Sequence, residues 1–159
     1  MLQDKKSEAF VQHFTDTWLQ INKLGSMPPD PKAFGSYYSD RLEDLFKQET
    51  QLFFSDLVQT DGSLLNLLDS EYTFLNDVLA KHYGVRGVKG EVFQRVALIP
   101  ENHRGGLLGQ GSILTLSANG IETSPVVRGI WVLENILATP PPPPPPDVEP
   151  LEPDTRGAV

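Results

Sequence analysis

Large apolar residues recur at Phe10, Phe14, Trp18, Ile21 and Leu24, at intervals of four, four, three and three. That spacing predicts one face of an α-helix from about Ser7 to Leu24. Gly25 and the breaker-rich SMPPDPKAFG end it. A second helix is expected from about Ser39 to Gln59, capped by Ser39 or Asp40, with Leu42, Leu45, Phe46, Phe53 and Leu57 at helical spacing. After the Asp61-Gly62 turn and the short apolar LLNLL, a third helix is expected from about Glu71 to His82, with Phe74, Leu75, Val78 and Leu79 on one side and Gly84 at its end. The run GVRGVKGEVFQRVALIP then changes character and reads as extended. Gly106 to Ala118 is apolar enough for a helix, although its glycines each weaken it by about 1 kcal/mol against alanine. Ser124-Pro125 is a strong start for a last, largely buried helix: a hydroxyl cap followed by proline at the first helical position.

The expected architecture is mainly α. It comprises an irregular helical domain of about five helices over residues 1–139, with a short extended segment near residues 91–99. A polyproline strap and acidic tail follow over residues 140–159.

A chain of 159 residues supports one domain of ordinary size, and 39% apolar with 21% charged residues is a globular composition. The absence of cysteine excludes disulfides, Cys-ligated zinc, iron–sulfur clusters and a thiol nucleophile from this chain. The net charge of −8 makes nucleic acid an unsuitable nonspecific partner. The charge is uneven, however. Residues 81–104 carry Lys81, Arg86, Lys89, Arg95 and Arg104 against only Glu91 and Glu101, which is either a solvated face or a local anion site. No apolar run approaches the ~20 residues of a membrane span, so membrane insertion is not expected. MLQDKKSEAF has no apolar core of a signal peptide, and both ends read like cuts in a longer polypeptide.

Catalytic motifs fail on inspection. Gly106 and Gly111 have phosphate-loop spacing, but Ser112 stands where the lysine belongs, and Leu114 replaces the third glycine of a dinucleotide fingerprint. His13, His82 and His103 have no metal-ligand spacing, and no Gly-x-Ser-x-Gly elbow occurs. No catalytic residue and no metal ligand is assigned. The candidate anion-binding group is Arg104, Gly105 and Gly106, with Arg128 as a further recognition residue. The competing reading pairs Arg104 with an acid such as Glu122 or has it cap backbone carbonyls. Pro140 to Pro146 are seven consecutive prolines, spanning roughly 22 Å as polyproline II. They are either a ligand for a proline-recognising groove or a stiff strap against the domain itself.

The order of motifs carries more than any one of them. SEYTFLNDVLAKHYGV, then FQRVALIPENHRGGLLGQGSILTLSA, then TSPVVRGIWVLENILATPPPPPPPDVEPLEP resembles an adjoining pair of domains of unknown function from large planctomycete-type proteins that also carry a cytochrome c-like segment. Residues 1–90, with FVQHFTDTWLQINKL and LFKQETQLFF, resemble the first domain, and residues 91–159 resemble the start of the second. The matching positions are Tyr72, Thr73, Asn76, Leu79, Ala80 and Tyr83-Gly84 in the first block. In the second they are Arg104 to Leu108, Thr123-Ser124-Pro125, Arg128-Gly129 and the prolines from Pro140 to Pro146. The resemblance implies an exported, periplasmic setting, neighbouring domains of a parent polypeptide as partners, and haem c elsewhere in that parent rather than in this chain. Together with the lack of catalytic motifs and the proline run, it points to a non-catalytic module positioning the cytochrome c-like segment. The rival is a binding or catalytic domain for an anionic or carbohydrate ligand, with Arg104 and Arg128 as recognition groups.

Overall fold

The computed structural model describes residue 4 and residues 6–142. Helix α1 spans Lys6–Trp18, and here the structure corrects the sequence twice. The stripe Phe10–Phe14–Trp18 forms an aromatic ladder that reaches Phe54, with neighbouring ring centroids 5.2–6.1 Å apart, yet Phe10 is 53% exposed. The buried stripe is the adjacent one, Val11 and Thr15, with the Thr15 hydroxyl satisfied by the Val11 carbonyl. The helix also stops before Leu24. Gln20 takes a left-handed conformation and a 3₁₀ turn follows over Ile21–Lys23. In one continuous helix Leu19 and Ile21 would point about 200° apart. The break lets both enter the core, where they are 0% and 1% exposed.

A short helix that the periodicity does not announce, α2, covers Gly35–Ser39. Helix α3 then runs Leu42–Gln59, three residues later than expected, because left-handed Arg41 separates the two and pairs with Asp44. A 3₁₀ turn occupies Leu64–Leu67.

The expected helix over 71–82 is a strand followed by a helix. Strand β1, Tyr72–Leu75, pairs antiparallel with β2, Gln94–Ala97, in the register Tyr72↔Ala97 to Leu75↔Gln94. The sequence YTFL is aromatic and β-branched, and it alternates, with Thr73 and Leu75 buried. Asn76 then starts α4, Asp77–Tyr83, by accepting the Leu79 N–H on its side chain, and Gly84 closes that helix. Strand β2 lies within the extended segment expected at 91–99.

Helix α5 is only Gly111–Leu116, preceded by a 3₁₀ turn at Leu107–Gly109. Helix α6, Pro125–Asn135, begins where the sequence places it, with Ser124 accepting the Val127 N–H and Pro125 at the first position. It is less buried than its composition suggests: Trp131 is enclosed, while Val126, Val127 and Ile130 are exposed. The described chain is mainly helical, with six α-helices among the described residues. The strap lies largely outside them, since only Pro140 to Pro142 of the proline run are described.

Two apolar clusters make up the core. One gathers Leu19, Ile21, Phe53, Leu57, Leu107, Ile113 and Trp131. The other gathers Leu24, Tyr37, Leu42, Phe46, Leu75, Leu79 and Ala80. Helix α3 serves both, with Phe46 in one and Phe53 in the other. Between those two positions it buries Glu49 and Thr50.

Candidate functional site

Glu49 is 1% exposed. A carboxylate there is tolerable only if its oxygens are hydrogen-bonded. Thr73 of β1 donates to Oε1 at 2.6 Å, and the Tyr83 hydroxyl at the end of α4 donates to Oε2 at 2.5 Å. Tyr83 in turn accepts the Gly111 N–H at 2.8 Å. Gly111 is required by close approach, because a Cβ there would stand 2.3 Å from the Phe46 ring. One residue along α3, Thr50 has a single hydroxyl proton, which it gives to Gln110 Oε1 at 2.7 Å. It therefore accepts from the Ser112 hydroxyl, also at 2.7 Å. The result is a buried polar seam joining α3, β1, α4 and α5.

Arg104 closes one side of this seam. Its guanidinium lies 3.5 Å from the centre of the Tyr83 ring and donates to the Gly109 carbonyl. Burial pushes the Glu49 carboxyl up to about 7, against the opposing pull of the Thr73 and Tyr83 hydroxyls and then Arg104. Burial and the Glu49 charge raise the Tyr83 phenol well above its usual value. Burial, then the Arg104 charge, lowers His82, whose ring packs on Phe46.

Arg104, Gly105 and Gly106 do line a common hollow, together with Glu49 and Thr73, but its volume is about 10 Å³. That is room for about one water molecule. The glycines are explained by packing. Gly106 has φ +58°, and a Cβ on it would meet the Leu67 and Leu68 backbone at 2.6 Å. The carboxylate that faces Arg104 is Glu49, not Glu122.

Arg128 sits elsewhere. It lines a hollow of about 460 Å³ with Phe34, Tyr37, Phe46, His82, Leu114 and Glu122 among its walls. Its Nε donates to Ser117 Oγ at 3.1 Å and its Nη2 to Thr123 Oγ1 at 3.0 Å. The two arginines thus line separate hollows. Ser124 and Pro125 serve the start of α6, Pro140 lies five residues beyond its end, and Pro146 falls outside the described residues. No group of three or more His, Cys, Asp or Glu side chains among the described residues has the arrangement of a metal site. No described helix is long and apolar enough to cross a membrane.

The sequence reading missed Glu49. The signal was a gap: Leu42, Leu45, Phe46, Phe53 and Leu57 mark a buried stripe, and Glu49 falls within it, three residues after Phe46 and four before Phe53. A charge inside an apolar stripe asks for partners. Two of them, Thr73 and Tyr83, are positions that carry the family resemblance.

Residues 1–85 match a family model described as PSD4, protein of unknown function (DUF1592). Residues 104–159 match one described as PSCyt3, protein of unknown function (DUF1588). No curated protein and no solved structure matches the chain. The seam crosses from one matched segment to the other, since Glu49, Thr73 and Tyr83 lie in the first and Arg104, Gln110, Gly111 and Ser112 in the second. With more than half of its length inside the first model and the second adjoining it, the chain belongs to the DUF1592 family and carries a DUF1588 segment after it.

Proposed function

We propose that the chain is a non-catalytic structural and interaction module of a larger, exported, haem-associated protein, in which it positions a cytochrome c-like segment. The observation that carries this reading is the seam. Segments matching two different family models share one set of buried hydrogen bonds, so they form a single rigid unit rather than two beads on a linker. A rigid unit is what positioning a neighbour requires. The Glu49 carboxyl is met by the Thr73 and Tyr83 hydroxyls and the Arg104 guanidinium lies on the Tyr83 ring, a set of internal contacts that suits a scaffold better than a reaction centre. The periplasmic setting belongs to the same reading, as do the neighbouring domains as partners.

The test is to produce this chain and, separately, the haem-bearing segment of the same gene, and to titrate one with the other by two-dimensional amide NMR. Shifts confined to one face, with an unchanged haem absorption spectrum, are expected. A gene without a Cys-x-x-Cys-His motif, or no shifts at saturating haem segment, overturns the reading.

The rival reading, recognition of an anion or carbohydrate, draws support from the second arginine alone. Arg128 stands at a cavity of ligand size, whereas Arg104 faces a hollow the size of one water.

A further inference from the structure

Two loops wall the cavity beside Arg128, and each is braced. In the loop after α5, Ala118 pairs with Thr123 across a single bridge, and Asn119 Oδ1 accepts the N–H groups of Ile121 and Glu122 at 3.1 and 2.6 Å. The loop before α2 is joined to it by the Asp30 N–H, which donates to the Gly120 carbonyl at 2.9 Å. The Tyr38 hydroxyl donates to the Pro29 carbonyl and so anchors that loop to α2. The space between them, about 460 Å³, falls within the range of small-molecule sites. The interior is apolar and aromatic, with Tyr37, Leu42 and Phe46 buried beneath it.

Arg128 is the charge that this cavity holds ready. Ser117, fully buried, gives its proton to the Ile113 carbonyl at 2.6 Å and can therefore only accept from Arg128 Nε. Thr123 accepts from Nη2. The guanidinium is thus fixed by hydroxyls and not neutralised by an acid. The ion pairs among the described residues are Arg41–Asp44 and Lys47–Glu43, and no hydrogen bond there uses Arg128 Nη1. Glu122 lines the same cavity without pairing to Arg128. A fixed cation with a spare donor at the wall of an aromatic cavity is a receptor for one negative charge on an apolar body. Glu122 disfavours a second negative charge. A sugar would set hydroxyls against the Phe46 and Leu42 side chains, which offer them no hydrogen bond.

We propose that this cavity binds a monocarboxylate with a ring or branched hydrocarbon body, its carboxylate on Arg128 Nη1 and its body over Tyr37 and Phe46. The site draws its walls from both family-matched segments, so the ligand bridges them. This binding is independent of the scaffold reading and stands or falls without it.

The probe is 3-phenylpropionate, compared with its neutral isostere 3-phenylpropanamide, by calorimetry and amide NMR on the whole chain. The acid should bind about tenfold more tightly than the amide, the discrimination expected of one charge-assisted hydrogen bond. Arg128→Gln should erase that difference, chiefly by weakening the acid. Glu122→Gln, at an exposed residue, should tighten the acid alone, and it serves even if the arginine variant proves unstable. Equal affinity for acid and amide, no response to either substitution, or preferential binding of inorganic phosphate or glucose overturns the assignment.

Discussion

Arg104 and Arg128 are the same side chain in two opposite surroundings. Around Arg104 the fold has closed: its guanidinium lies on Tyr83, donates to the Gly109 carbonyl and faces the charge of Glu49 across a hollow of about 10 Å³. Around Arg128 the fold has stopped short: two hydroxyls hold the guanidinium at the wall of a 460 Å³ cavity. An arginine near glycines is not in itself an anion site. What matters is whether the fold leaves room beside it. At Arg104 the Tyr83 ring, the Gly109 carbonyl and Glu49 take up the space, and the arginine serves the fold. At Arg128 a cavity remains open, and the arginine is left for something else.

The comparison breaks most visibly at Glu49. Glu49→Ala leaves the Thr73 and Tyr83 hydroxyls without their acceptor and Arg104 without its facing charge. It should lower unfolding stability by about 3 kcal/mol, read as a fall in the urea midpoint. Glu49→Gln keeps an acceptor and should cost clearly less. Equal losses in the two variants would mean that the seam's hydrogen bonds contribute little beyond the volume they fill.

The next effect is on pH dependence. The folded-state value of Glu49, about 7, lies above the ordinary 4.5, so between those values the native protein binds more protons than the unfolded chain. The stability that Glu49 contributes should therefore be greatest below about pH 4.5, fall as pH rises toward 7, and level off above it. The contribution is on the order of 3 kcal/mol. His82, whose folded value is lowered, acts with the opposite sign as pH approaches 6.5 from below. Subtracting the profile of Glu49→Gln from that of the parent isolates the glutamate. A flat difference between pH 4.5 and 7 would show that Glu49 is ionised throughout.

The smallest effect sharpens the comparison most. Arg104→Leu should cost about 1–2 kcal/mol, by loss of a charged hydrogen bond and the contact with Tyr83. It should also extend the glutamate's pH window upward, since Arg104 pulls the Glu49 value down. Arg128→Leu, partly exposed and held by neutral hydroxyls, should change stability by about 1 kcal/mol or less and leave the window in place. If both variants cost the same in chemical denaturation, the two arginines are equally structural.

Some of this architecture is local chemistry and can be read along the chain. Ser124-Pro125 starts α6 because a hydroxyl cap and a proline at the first position act within one turn. The body of α3 follows from the spacing of Leu42, Phe46, Phe53 and Leu57, and Gly84 ends α4 through its own backbone freedom. The extended character of residues 94–97 is likewise visible in their composition. Other features depend on segments that meet only in the fold. YTFL at 72–75 carries helical spacing as part of a longer run. It becomes a strand because residues 94–97 offer hydrogen bonds along its edge and α3 covers its alternate side chains. The turn at Gln20 is stabilised by the simultaneous burial of Leu19 and Ile21, which no local preference foretells. The different fates of Arg104 and Arg128 were decided the same way. Sequence determines that a guanidinium is present, but its free energy depends on the groups facing it, and only tertiary packing brought Glu49 to one and left a cavity beside the other.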